Sequence, residues 1–170
     1  MAAQSMMRIG TVKDLDTLVR LEKAGFAADR FEREQLLYLL AKAHATTLIV
    51  EQDGQVCGAA IMAWRRNSSV GRLYSIVIDP TFQGRGLGSK LLQACEAVAR
   101  QRGCDRVSLE VRADNRRAIG MYERHGYRMK GALPGYYADG GTGLRMVKGL
   151  DNRNHTAVRL NVPHNGHEIP

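Results

Sequence analysis

The order of apolar patterns along the chain predicts an α/β (α+β) domain built on a mixed, mostly antiparallel sheet flanked by helices. Three observations carry this. Strand-like runs at residues 46–51, 55–64 and 70–78 follow one another with no helix between them, as antiparallel neighbours do. A long amphipathic stretch at 89–101 then separates the third run from an alternating one at 106–111. That is the pattern of a strand–helix–strand crossover, here spanning residues 72–111. Two further strand-like runs, 127–133 and 143–147, complete the set.

Taken in order, residues 6–10 read as a short strand. Thr11 and Asp14 have the spacing of a capping box, in which each side chain takes the other residue's backbone N–H. A helix should follow to about residue 24, with Leu15, Leu18, Val19 and Leu21 on its buried side. A second helix over 32–43 carries Leu36, Leu37, Leu39 and Leu40, and the segment before it, 26–31, reads as a loop. Asp53-Gly54 is a hairpin turn pair, and Asp79-Pro80 ends the third strand.

In the helix over 89–101, Leu91, Leu92, Cys95 and Val98 face inward and Gly103 is placed to cap the C-terminus. In the run that follows, Val107, Leu109 and Val111 share one face, with Ser108, Glu110 and Arg112 on the other. Asp114 can cap a helix over 115–125, which Gly126 ends. From residue 151 polar residues dominate and periodicity vanishes. This predicts one domain over 1–150 and a disordered tail over 151–170.

The chain of 170 residues suffices for one sizeable core. No apolar run approaches the roughly 20 residues that span a bilayer, and no secretory leader pattern opens the chain. Cys57, Cys95 and Cys104 form neither a disulfide framework nor a zinc pattern, so a reduced, cytoplasmic setting without a metal is expected. The net charge of +8 belongs wholly to residues 1–150, because Arg153 and Arg159 balance Asp151 and Glu168 in the tail. Such a charge suits a polyanionic partner, either nucleic acid or a phosphorylated cofactor, but also suits plain solubility.

The segment Gln83-Gly84-Arg85-Gly86-Leu87-Gly88-Ser89 lies between a strand and a long helix. Free backbone N–H groups at a helix N-terminus bind anions there, and glycines let the backbone approach phosphates closely. Arg85 adds a charge. The spacing G-x-G-x-G is neither the dinucleotide fingerprint nor a P-loop, whose Lys-Ser ending is reversed here as Ser89-Lys90.

The run Tyr74-Ser75-Ile76-Val77-Ile78-Asp79-Pro80 followed by Gln83-x-x-Gly86-x-Gly88 resembles the acetyl-CoA signature of the GNAT N-acetyltransferases. A second block resembles the same superfamily: Leu109-Glu110-Val111-Arg112-Ala113-Asp114-Asn115, Ala118-Ile119, Tyr122-Glu123 and Gly126-Tyr127. The Leu-Glu-Val-Arg block and Tyr136-Tyr137-Ala138-Asp139-Gly140 are similar to the RimI-type branch, which acetylates polypeptide α-amino groups. One departure stands out. Gly141-Thr142-Gly143 follows, where relatives usually place an acidic and then a small residue.

The resemblance implies a sheet splayed at its centre and acetyl-CoA as cosubstrate. The implied acceptor is a protein or peptide N-terminus, ribosomal proteins among them. It further implies cofactor contacts from Ile76, Val77, Ile78, Gln83, Gly84, Arg85, Gly86, Leu87, Gly88, Ser89 and Asn115. Tyr122 matches the general acid and Glu110 the base, acting directly or through water. Tyr74, Tyr136 and Tyr137 match substrate contacts. Other roles stay open: Tyr122 as a core aromatic, Glu110 as a structural carboxylate paired with Arg112 or another arginine, Asn115 as a helix cap, and a core or strand-pairing role for one of Tyr136 and Tyr137. The acceptor could instead be a small amine or a lysine side chain. A cysteine acetyl carrier lacks an accompanying histidine pattern. Nucleic-acid binding as the main function lacks a helix-turn-helix, zinc-finger or RNA-recognition aromatic pattern, leaving it incidental.

Overall fold

The computed structural model describes residues 4–26, 28–42 and 44–151; the predicted tail, apart from Asp151, lies outside the described residues. The chain runs β1 (Ser5–Ile9), a 3₁₀ turn (Val12–Asp14), α1 (Leu15–Gly25), α2 (Arg33–Ala41), β2 (Ala45–Gln52), β3 (Gln55–Trp64) and β4 (Val70–Ile78). It continues through a second 3₁₀ turn (Pro80–Phe82), α3 (Leu87–Gln101), β5 (Arg106–Arg112), α4 (Arg116–Arg124), β6 (Arg128–Leu133) and β7 (Gly143–Gly149). Seven strands form one sheet in the order β1-β2-β3-β4-β5-β7-β6. Every neighbouring pair is antiparallel except β4 and β5, the ends of the predicted crossover.

Strand alternation sorts the core onto the two faces of the sheet. Leu48, Val50, Ala60 and Met62 belong to one cluster with Leu91, Leu92, Cys95 and Val98 of α3. Their strand neighbours Ile49, Ala59 and Ile61 belong to the other, with Leu15, Leu18 and Leu21 of α1 and Leu36 and Leu39 of α2. Each fully buried aliphatic side chain contributes about 1.5–3 kcal/mol, so both helical layers are held mainly by burial. No described helix is long and apolar enough to cross a membrane.

Local chemistry sets the boundaries. The expected capping box is present: Thr11 Oγ1 accepts from Lys13 N at 3.3 Å, and Thr11 N donates to Asp14 Oδ2 at 2.9 Å. Arg8 then donates to both Asp14 oxygens, at 2.9 and 2.8 Å, and holds that carboxyl below its usual range. α3 starts two residues before the expected 89, because Gly86 adopts the left-handed conformation that turns the chain into the helix. The cap of α4 is Asn115 rather than Asp114; its Oδ1 accepts from Ala118 N at 3.2 Å, one residue later than expected.

The two central strands separate. β4 and β5 pair only from Val70↔Arg106 to Leu73↔Leu109. Next to the last rung, the β3–β4 register shifts between Ile61↔Ser75 and Met62↔Leu73, leaving Tyr74 as the extra residue of a bulge. A bulge bends its strand and increases local twist, and here it coincides with the point where β4 leaves β5. Beyond it, Ile76, Val77 and Ile78 stay paired to β3 through Ala60, Ala59 and Gly58. Their opposite backbone edge faces an opening.

Candidate active site

That opening widens into a cavity of about 780 Å³. One wall is β4 from Leu73 to Ile78, and the other is Leu109, Glu110, Val111 and Arg112 of β5. The glycine-loop residues Gln83, Gly84, Gly86, Leu87, Gly88 and Ser89 line it with Asn115, as do Tyr74, Tyr136 and Tyr137. Tyr122 also lines it. Every site residue expected from the sequence therefore meets at one cavity, with one exception. Arg85 is not in its lining, and instead donates to Gln52 Oε1 at 3.0 Å with its guanidinium over the Phe82 ring at 5.0 Å.

The glycine loop has the geometry of an anion cradle. Gly84 and Gly86 have φ of +81° and +74°, and a side chain at either would point into open space. The first amides of α3 follow directly, and they have no partner within the helix. Gln83 bridges the loop to both neighbours: its Nε2 donates to Ile78 O at 3.4 Å, and its Oε1 accepts from Arg117 at 2.9 Å. Ser89 Oγ lies 2.9 Å from His125 Nε2, which ties the start of α3 to the end of α4.

Tyr122 projects from α4 into the apolar layer between helix and sheet, where it meets Tyr127 edge-on with ring centroids 5.7 Å apart. Burial drives its phenol well above the usual tyrosine range, so the proton stays on the oxygen. Glu110 belongs to the face of β5 opposite Val107, Leu109 and Val111, as the alternation implied. Its carboxylate accepts from Arg72, at 2.8 Å to Oε1 and 3.3 Å to Oε2, and from Arg145 at 3.2 and 3.3 Å. The partners that hold it thus come from β4 and β7, and not from Arg112.

Both tyrosines of the 136–137 pair line the cavity. They sit in the connection between β6 and β7, where strand alternation does not apply. Their rings meet edge-on at 5.0 Å. Burial pushes the Tyr137 hydroxyl up to about 12, and its ring carries the Arg112 guanidinium at 4.7 Å. Arg112 also pairs with Asp29 and with Asp139, the latter at 2.8 Å.

Glu22, Asp29, Phe31 and Arg72 line the same cavity and were not singled out from the sequence. Glu22 had a legible signal, since it falls on the buried stripe of α1 at the spacing 15, 18, 22 and is only 3% exposed. Its Oε1 accepts from Ser75 Oγ at 2.7 Å and its Oε2 from Phe31 N at 3.0 Å. Burial raises this carboxyl above its usual range, with the two hydrogen bonds pulling the other way. Cys57, Cys95 and Cys104 are free, buried and absent from the cavity lining, which leaves a cysteine acetyl carrier without a candidate.

A family model, the acetyltransferase (GNAT) family, matches residues 13–127. The chain belongs to the GNAT acetyltransferase family. It is therefore an acyltransferase, and the parting of β4 and β5 sits within the GNAT fold. A protein of Bacillus subtilis (strain 168), provisionally named ribosomal protein bS18-alanine N-acetyltransferase, is 28% identical over 148 residues, covering 83% of this chain and 92% of that one. Among solved GNAT structures, the ribosomal-protein-S18-alanine N-acetyltransferase of Escherichia coli aligns with a TM-score of 0.79 at 23% identity, over 92% of this chain and all of that one. Ard1 from Thermoplasma volcanium aligns at 0.78 and 23% identity, over 86% of this chain and 97% of that one. The NatC complex, solved with a Gag peptide and CoA, contains a chain that aligns at 0.75 and 18% identity, over 87% of this chain and 99% of that one.

Proposed function

We propose that this enzyme transfers the acetyl group of acetyl-CoA directly to the α-amino group of a protein or peptide N-terminus, a ribosomal protein being one such acceptor, in the cytoplasm. The observation that carries the reading is the placement of Glu110 and Tyr122 on one cavity between a glycine-rich anion loop and an aromatic rim. The names of the bS18- and S18-specific relatives point to the same acceptor class.

The edge of residues 76–78 that faces away from β3 offers backbone groups to an extended amide-bearing chain, as an open sheet edge does, with Ile78 O already accepting from Gln83. Amides of the 84–89 loop suit the pyrophosphate to which such a chain is joined in coenzyme A. Acetyl-CoA supplies a thioester carbonyl that a neutral amine attacks without a covalent enzyme intermediate. A free α-amine has a pKa of about 7.7–8.0 against about 10.4 for lysine, so a modest base at neutral pH suffices.

Glu110 takes that proton, directly or through water, while Arg72 and Arg145 hold its carboxylate in place. Tyr122 keeps its proton until a thiolate needs one, because burial disfavours the phenolate. Tyr74, Tyr136 and Tyr137 frame the first residues of the acceptor.

The test is CoA release with a panel of peptides that carry free or blocked N-termini, some containing lysine. Turnover is expected with free N-termini alone. Turnover confined to blocked, lysine-containing peptides would overturn the proposal.

A further inference from the structure

The excess positive charge does not all gather at the cavity. β4 runs toward the glycine loop, so its start at Val70 and the start of β5 at Arg106 mark the far end of the sheet, where these two residues pair. Arg65 and Arg66 lie in the β3–β4 connection there, Arg100 and Arg102 at the C-terminus of α3, and Arg106 at the start of β5. Contacts draw these segments together. Asp105 N donates to Ser69 O at 2.8 Å, the Arg102 guanidinium lies 4.6 Å from the Trp64 ring centroid, and Arg100 Nε donates to Asp151 O at 3.2 Å.

Folding accounts for part of this cluster. Cations at a helix C-terminus answer its dipole, which explains Arg100 and Arg102. Arg106 has a loose, exposed pairing with Asp105 at 3.5 Å. Arg65 and Arg66 are exposed and form no ion pair among the described residues, so nothing in the fold calls for them. All five cations are arginines, whose planar guanidinium binds phosphate bidentately and stacks on rings. Trp64 already carries one such guanidinium beside the unpaired two.

We propose that this end of the sheet docks on the phosphate backbone of a nucleic acid, leaving the cavity at the opposite end open to acetyl-CoA and the acceptor. The binding is electrostatic and indifferent to base sequence, and it rests on the patch alone, whatever the acceptor is.

The experiment is fluorescence anisotropy of the full chain with a labelled mixed-sequence RNA hairpin over a salt series. It compares the double variant Arg65→Glu/Arg66→Glu with the charge-matched control Lys23→Glu/Lys90→Glu. The patch variant should bind about tenfold or more weakly, with a salt slope smaller by about two, while the control binds close to wild type. Both pairs lie on exposed positions, and unchanged melting temperatures would establish that each variant is folded. RNA should leave acetyl-CoA affinity unchanged. Equal weakening by the control, competition between RNA and acetyl-CoA, or binding only to anionic vesicles or polyglutamate would each overturn the proposal.

Discussion

Arg72 and Glu110 form an ion pair at the last rung before β4 and β5 part, with Nη2 and Oε1 2.8 Å apart. Glu110 lies one residue past the final β4–β5 pair, so Arg72 fastens the floor of the cavity and orients its carboxylate together. Truncation by Arg72→Ala should lower stability by about 1–2 kcal/mol, the range for a charge-assisted bond that is partly exposed. It should also reduce kcat/KM for peptides, since only Arg145 would then steer Glu110. Urea unfolding and steady-state kinetics check both; unchanged kcat/KM would show that the pair is structural only.

Tyr122→Phe removes the hydroxyl and keeps the ring against Tyr127. A positioned general acid is worth about a hundredfold or more in rate. The variant should lose kcat on that scale, with acetyl-CoA affinity by calorimetry unchanged. Wild-type turnover would remove Tyr122 as the acid.

At Gly86 a side chain would meet nothing within 4 Å, so crowding is no obstacle in the free protein. The cost of Gly86→Val comes from φ of +74°, which a β-branched residue reaches only at roughly 1–2 kcal/mol. The variant should relieve that strain by moving the loop and should lose acetyl-CoA binding out of proportion to its small drop in melting temperature. Retained cofactor affinity would contradict the cradle assignment.

Glu22 makes stability depend on pH. Burial raises its folded-state pKa, so between the ordinary carboxylate range and that raised value the folded chain keeps a proton the unfolded chain has released. The resulting stabilisation is fully present at lower pH and fades as pH climbs through this window. Glu22→Gln should flatten the slope, as read from urea midpoints over a pH series. Parallel slopes in the two proteins would refute the linkage.

The sheet, the crossover and the glycine loop were legible because period, turn pairs and motif spacing are local properties. What escaped was non-local. Nothing in the sequence around Tyr74 marks it as the extra residue of a bulge, since that depends on the register with β3. The partners of Glu110 come from strands 38 and 35 residues away, beyond what spacing reveals. Asp114 and Asn115 are both good caps, and only the backbone path decides between them. Glu22 was readable as an anomaly, a charged residue on a buried helical stripe.

The two kinds of surface that line the cavity stand on different footings. Along residues 76–78 the open edge is main chain, and any side chain that leaves the strand intact preserves it. At the rim, Tyr136 and Tyr137, the proposed acceptor contacts, present their rings from a connection whose length the sheet does not dictate. Under the proposed assignment, mutation could therefore rewrite which acceptors are taken while the donor is held as before. Within such a lineage, donor use should persist as acceptors change hands.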